Sequence, residues 1–304
     1  MTRRGIALAL VLSMLLLPAG AVVVGAALHF FENRTTGTIV VSGHTRPYIV
    51  HVPATYDPRK PTALVLSMHG AMNWPASQMR MSGWNRLADE QGFIVAYPGG
   101  EGAGPAIFNM DGARTPARMP DVVFISQLID KLQASYNIDP ARIYANGLSN
   151  GGGMSFVLSC ALSHRIAAVG LVASAQILPW AWCTDTKPVP MIAFHGTADA
   201  WTPYRGGKVW IAPEPFPSIP KWAANWARRN RCAPNAVESA TGSISRLEYT
   251  GCADDASVVL YTIGNGGHTW PGGLQLPEWI LGATSHDIDA TRVMWEFYEK
   301  HRLR

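Results

Sequence analysis

Charge is scarce in this chain: Asp, Glu, Lys and Arg make up 15% of its 304 residues, against roughly a quarter in an average soluble domain. Hydrophobic residues make up 48%, so the sequence can bury a large core, which excludes a disordered polymer. The formal net charge is only +4. The densest basic cluster, Arg228, Arg229 and Arg231, reads as a solvated helix end, so no nucleic-acid partner is expected. Cysteine is also sparse, with four in the chain and no C-x-x-C or close Cys/His pair among them, which speaks against a metal site. The glycine run at 99–104 lacks the lysine of a phosphate loop and does not open a helix. No repeat or low-complexity segment is present. No metal and no cofactor are therefore expected.

What is present begins with a long apolar amino terminus. Arg3 and Arg4 precede residues 5–31, which contain no Asp, Glu, Lys or Arg. About 20 apolar residues span a bilayer, so residues 1–34 read as a signal peptide or an uncleaved signal anchor. Ala19, Gly20 and Ala21 offer an A-x-A-like cleavage site behind Pro18, which favours the signal peptide. Either reading keeps the amino end in the cytoplasm and exports the rest, to an extracellular or periplasmic location. A membrane is met only through residues 5–31, if they are retained. Residues 35–304 are then one catalytic domain, within the size that one core can fill.

The chemistry is concentrated at Gly147, Leu148, Ser149, Asn150 and Gly151. This G-x-S-x-G sequence lies between an apolar run at 142–145 and a helix-like stretch at 152–162, where a serine stands exposed on a tight strand-to-helix turn. A serine hydroxyl needs a base to take its proton, and the base needs an acid to hold its tautomer. Residues 189–194 read as a buried strand ending in the polar loop of Asp199, and residues 257–263 as another ending at His268. The order serine, acid, histidine is that of the strand–turn–helix hydrolases. Asp199 is preferred over Asp185, Asp254 and Asp255 because it alone directly follows a clear strand. His268 is preferred over His286 and His301, which are expected to be solvated, and over His195, which is expected to pack under the acid loop.

Acyl transfer also requires fixed N–H donors for the carbonyl oxygen. The backbone of Asn150 supplies one and that of Ala71, in the loop after the strand at 62–68, the second. Trp201, Tyr204 and Trp270 flank the acid and the histidine and are expected to line the substrate cleft, with the rigid proline-rich loop 213–220 beside it. Trp180 and Trp182 are further aromatic candidates. Strands at 38–41, 48–52 and 92–97 and a helix from Asp121 to Tyr136, opened by Pro120, complete an alternation of strands and helices. It predicts a mostly parallel sheet with helices on both faces.

The set LSMHGA, YANGLSNGGGMS, HGTADAWTPY and GGHTWPGG resembles the polyhydroxybutyrate depolymerase and feruloyl esterase-like group of secreted α/β-hydrolases, over about residues 36–300. The resemblance implies the α/β-hydrolase fold, Ser149 as nucleophile, Asp199 as acid, His268 as base, and a carboxylic ester as substrate, polymeric in some members. Members cleave hydroxyalkanoate polyesters, hydroxycinnamoyl esters on plant polysaccharides, and acetyl esters. Two departures bear on acyl recognition: many relatives carry a cysteine where Ala71 stands, and the segment 98–120 holds Phe108 where a tryptophan-rich patch is expected. The four cysteines allow three pairings. Proximity and the resemblance together favour Cys160 with Cys183 and Cys232 with Cys252. A serine peptidase on the same fold, or a surface-binding protein without chemistry, are the alternatives.

Overall fold

Uninterrupted runs of apolar residues, too short for helices, mark strands buried on both faces, and the centre of the fold is built from them. The computed structural model describes residues 36–101, 107–108, 119–183, 187–208 and 215–303. The amino-terminal segment 1–34 lies outside these, as do most of the 98–120 segment, part of the glycine run 99–104, part of the loop 213–220, and the side chain of Trp182. The described residues all fall in one unit, Thr36–Arg304. Among them no helix is long and apolar enough to cross a membrane.

Ten strands form one sheet: β1 (Gly37–Val41), β2 (His44–His51), β3 (Thr62–Met68), β4 (Ile94–Pro98), β5 (Ile138–Leu148), β6 (Ala168–Val172), β7 (Met191–Gly196), β8 (Val237–Thr241), β9 (Ile244–Tyr249) and β10 (Val258–Ile263), in the order β1-β2-β4-β3-β5-β6-β7-β10-β9-β8. The six central strands from β4 to β10 run parallel. The outer strands on both sides pair antiparallel. This is the mostly parallel α/β-hydrolase arrangement that the sequence predicts. The register aligns the carboxyl ends: Met68 pairs with Gly147, Leu148 with Val172, Val172 with Phe194, and Ile263 with Gly196. The residues that follow Met68, Leu148, Gly196 and Ile263 therefore emerge along one edge, where ligands bind in such sheets.

Alternate residues of each central strand feed two cores. Leu64, Leu66 and Met68 join one with Phe124 and Ile125 of α3 (Pro120–Ser135), Phe156 of α4 (Asn150–Ala161) and Trp222 and Trp226 of α5 (Ile219–Arg229). Ala63 and Val65 join the other with Met81 of α1 (Pro75–Ser82), Trp84 and Leu87 of α2 (Trp84–Gln91), and Met294 and Trp295 of α7 (Ala290–Tyr298). One short helix, α6 (Glu278–Leu281), lies between β10 and α7.

The cysteines pair as Cys160–Cys183 and Cys232–Cys252. Arg228 and Arg229 close the last turn of α5, where cations oppose the helix dipole favourably. His301 departs from expectation: it is 8% exposed, with Nδ1 donating to the Phe297 carbonyl and Nε2 3.2 Å from Ser257 Oγ. A residue near the chain end is buried because α7 carries it back under the start of β10. His286 is exposed as expected.

Candidate active site

Ser149 holds a backbone conformation that L-residues avoid, with φ 53° and ψ −116°. Such a state persists only where the surroundings impose it, and here they do so through glycines. A Cβ on Gly147 would lie 2.4 Å from the Gly151 carbonyl carbon, and one on Gly151 2.3 Å from the Met68 oxygen. The turn is thus pressed between β3 and the start of α4, and Ser149 N–H is tied to the Val172 carbonyl at 2.8 Å. The preceding strand is held by a buried polar network: Ser67 Oγ and Trp84 Nε1 both donate to Asn146 Oδ1, and Gln78 Nε2 donates to Ser67 Oγ. The serine itself is half-buried.

Asp199 and His268 form the second part. His268 Nδ1 lies 2.8 Å from Asp199 Oδ2, and both residues are buried. The other carboxylate oxygen, Oδ1, accepts from the N–H groups of Trp201 at 2.9 Å and Thr202 at 2.7 Å. His195 Nε2 donates to the Thr202 carbonyl at 2.7 Å and stands 3.4 Å from Asp199 Oδ2. It packs under the acid loop, as its position in the sequence suggests. Burial pushes the His195 pKa down, opposed by the charge of Asp199, and the ring braces the acid loop through its bond to Thr202. Among the described residues no hydrogen bond joins Ser149 Oγ to His268.

Two backbone segments flank the serine. Asn150 is the first residue of α4, where backbone N–H groups have no partner within the helix. A Cβ built on Gly70 would lie 3.6 Å from the Ser149 Cβ, so the loop carrying Ala71 rests on the turn. His69 sets that loop. Gly100 N–H donates to its Nε2 at 2.9 Å, leaving Nδ1–H to donate to the Gly70 carbonyl at 2.7 Å. Burial, aided by the charge of Arg46, lowers its pKa to about 4. Its ring lies 4.8 Å from that of Phe108, whose N–H and carbonyl are both held by the Asn150 amide. Sequence reasoning missed His69, Asn146 and the Asn150 side chain. Only the first had a visible signal, its place between a strand and the glycine of the donor loop.

The three aromatics expected in the cleft separate. Trp270 is not a cleft residue: it is fully buried in the second core, and its indole donates to Thr291 Oγ1 at 2.9 Å. Tyr204 is half-buried, with its hydroxyl 2.8 Å from Thr262 Oγ1 and its ring 6.0 Å from that of His195, so it supports the acid loop. Trp201 remains outside, 37% exposed, with its ring 6.4 Å from that of His268. Trp180 packs edge-on against Phe156 and Trp226.

The neutral histidines couple stability to pH. His69, His195 and His301 all have pKa values below the ordinary 6.5, through burial. Below pH 6.5 the unfolded chain takes up protons that the folded protein refuses, so stability is full above that pH and falls on acidification. For His69 alone the loss between pH 6.5 and about 4 amounts to roughly 3 kcal/mol. Urea midpoints measured across this range should fall steadily with pH, and His69→Gln should flatten the slope. A flat profile in the native chain would contradict neutral burial.

No family model matches the chain. A protein named "Putative esterase NocK", from Nocardia uniformis subsp. tsuyamanensis, is 31% identical over 289 residues, covering 87% of this chain and 82% of its own length. Feruloyl esterase C of Emericella nidulans is 29% identical over 242 residues, covering 77% and 79%. Among solved structures, an acetyl xylan esterase from Aspergillus awamori superposes with a TM-score of 0.64, over 86% of this chain and 98% of its own, at 13% identity. That last likeness is one of fold.

Proposed function

The chain belongs to the feruloyl esterase-like family of carboxylic ester hydrolases, and on that premise we propose that it is an exported serine esterase acting on hydroxycinnamoyl or acetyl esters carried by polysaccharides. Ser149 Oγ attacks the ester carbonyl carbon, His268 Nε2 takes the hydroxyl proton, and the N–H groups of Ala71 and Asn150 hold the resulting oxyanion. The tetrahedral intermediate collapses as the imidazolium passes its proton to the leaving alcohol. Water then attacks the acyl-enzyme with His268 again as base, and the free acid departs. Asp199 keeps the Nδ1 proton in place throughout. The observation that carries the reading is the strained Ser149 turn on the same sheet edge as the buried His268–Asp199 pair.

The names of the relatives support the substrate class, since feruloyl and acetylxylan esterases recur among them. Export by residues 1–34 is supported by the two disulfides, which persist in oxidising compartments. A hydrolysis panel of methyl ferulate, acetylated xylan and hydroxybutyrate oligomers tests the assignment. Turnover of either of the first two is expected. Turnover of the third alone would move the enzyme to polyesters, and cleavage of none would reject the reading.

A further inference from the structure

Trp279 is 87% exposed, an unusual position for the largest apolar side chain, and its neighbour Ile280 is 42% exposed. Both belong to α6, and α6 is fastened to the catalytic-histidine loop. His268 N–H donates to the Leu281 carbonyl at 2.5 Å and Gly267 N–H to the Ala283 carbonyl at 2.9 Å. A Cβ on Gly267 would lie 2.1 Å from the Leu281 oxygen, so the two backbones touch. Trp201 joins the same assembly, its indole N–H donating to the Ile280 carbonyl at 3.0 Å. The hydrogen bond fixes the orientation of a half-open ring beside the imidazole. An apolar ridge thus extends from His268 outwards through Trp201 to α6.

The chemistry decides which half of the substrate meets this ridge. His268 protonates the leaving oxygen, so the alcohol half of the ester lies beside its imidazole, while the acyl half lies over Ser149 and the oxyanion donors. The ridge therefore belongs to the alcohol. Its exposure and charge narrow the occupant. Three side chains cover far less than the roughly 800 Å² per partner of a standard protein interface. The segment 271–284 has Glu278 as its only charged residue, which is unsuited to an anionic lipid surface. An indole as exposed as that of Trp279 suits a ligand that offers it apolar C–H faces while its polar edges stay hydrated. That is the chemistry of a neutral sugar chain.

We propose that Trp279 and Trp201 form an alcohol-side platform on which the neutral polysaccharide bearing the ester lies. The assignment of acyl and alcohol sides rests on the esterase reading above. Two measurements separate the platform from that reading. The first compares kcat/KM for feruloylated arabinoxylan oligosaccharide with that for methyl ferulate, or acetylated xylo-oligosaccharide with methyl acetate, so that only the alcohol differs. In Trp279→Ala the ratio should fall about five- to tenfold, mostly through KM, whereas Val237→Ala, at an exposed position on β8, should leave it unchanged. An unaltered ratio, or a loss confined to hydroxybutyrate oligomers, would overturn the proposal. The second titrates intrinsic tryptophan fluorescence with xylohexaose, which carries no ester. A saturable change in the native enzyme that disappears in Trp279→Ala is expected, and it would stand even if no ester were cleaved. No change in the native enzyme would overturn the platform and leave the esterase reading untouched.

Discussion

Replacing Ser149 by alanine is expected to lower kcat for a p-nitrophenyl acylate by roughly 10⁴-fold or more, with the melting temperature almost unchanged. In the proposed mechanism Ser149 Oγ is the atom that forms the acyl-enzyme, so its removal would leave the proposed oxyanion donors and the substrate site without a nucleophile. Residual turnover then reflects electrostatic stabilisation of attack by water. Stability should survive because the turn is imposed by what surrounds it: Gly147 and Gly151 at contact distance and the bond from Ser149 N–H to Val172, none of which involves Oγ. Alanine meets the same positive φ that serine already tolerates. A fluorophosphonate should label the native enzyme stoichiometrically and the variant not at all. Activity within a few-fold of the native enzyme, or labelling elsewhere, would place the nucleophile at another residue. Loss of activity together with a large fall in melting temperature would instead mark Ser149 as structural.

How much of this could be read beforehand follows from which surfaces are buried. The runs forming β3, β4, β7 and β10 stood out because both faces of a central parallel strand are apolar. β8 and β9 were not recognised, since the VESAT segment at the sheet edge and the ISRLEY segment beside it carry polar residues on both faces. The helix-like stretch at 152–162 fell two residues short of the observed start of α4 at Asn150: glycine disfavours helix, yet Gly151 and Gly152 stand in its first turn because Met68 and Ser174 leave no room for a Cβ. At the site, the order of serine, acid and histidine and the strand before each were legible, as was the role of His195. Side-chain direction was not. Trp201 and Trp270 each lie within two residues of the acid or the histidine along the chain, but one turns outwards to α6 and the other inwards to Thr291. The importance of α6 came only from backbone bonds to His268, which no side-chain pattern encodes.

Asp199→Asn should be nearly as damaging as loss of the nucleophile, with kcat reduced roughly 10³- to 10⁴-fold and KM little changed. The prediction depends on the orientation of the amide, and the structure allows one. Oδ1 receives two backbone N–H groups, from Trp201 and Thr202, and only an oxygen can occupy that place. An asparagine must therefore turn its NH₂ towards His268 Nδ1, now 2.8 Å from Oδ2. A donor there forces Nδ1 to accept, which moves the imidazole proton to Nε2. In that tautomer Nε2 cannot take the proton of Ser149, and no anion remains to stabilise the imidazolium. The loop bonds that shape the site are kept, so the fold and substrate binding should persist, whereas alanine would remove both effects at once and could not separate them. Nitrogen-15 NMR of the imidazole should show the Nδ1–H form in the native enzyme and the Nε2–H form in the variant. A variant that keeps the Nδ1–H tautomer, or retains kcat within tenfold, would show that Asp199 anchors the loop while another acid orients His268.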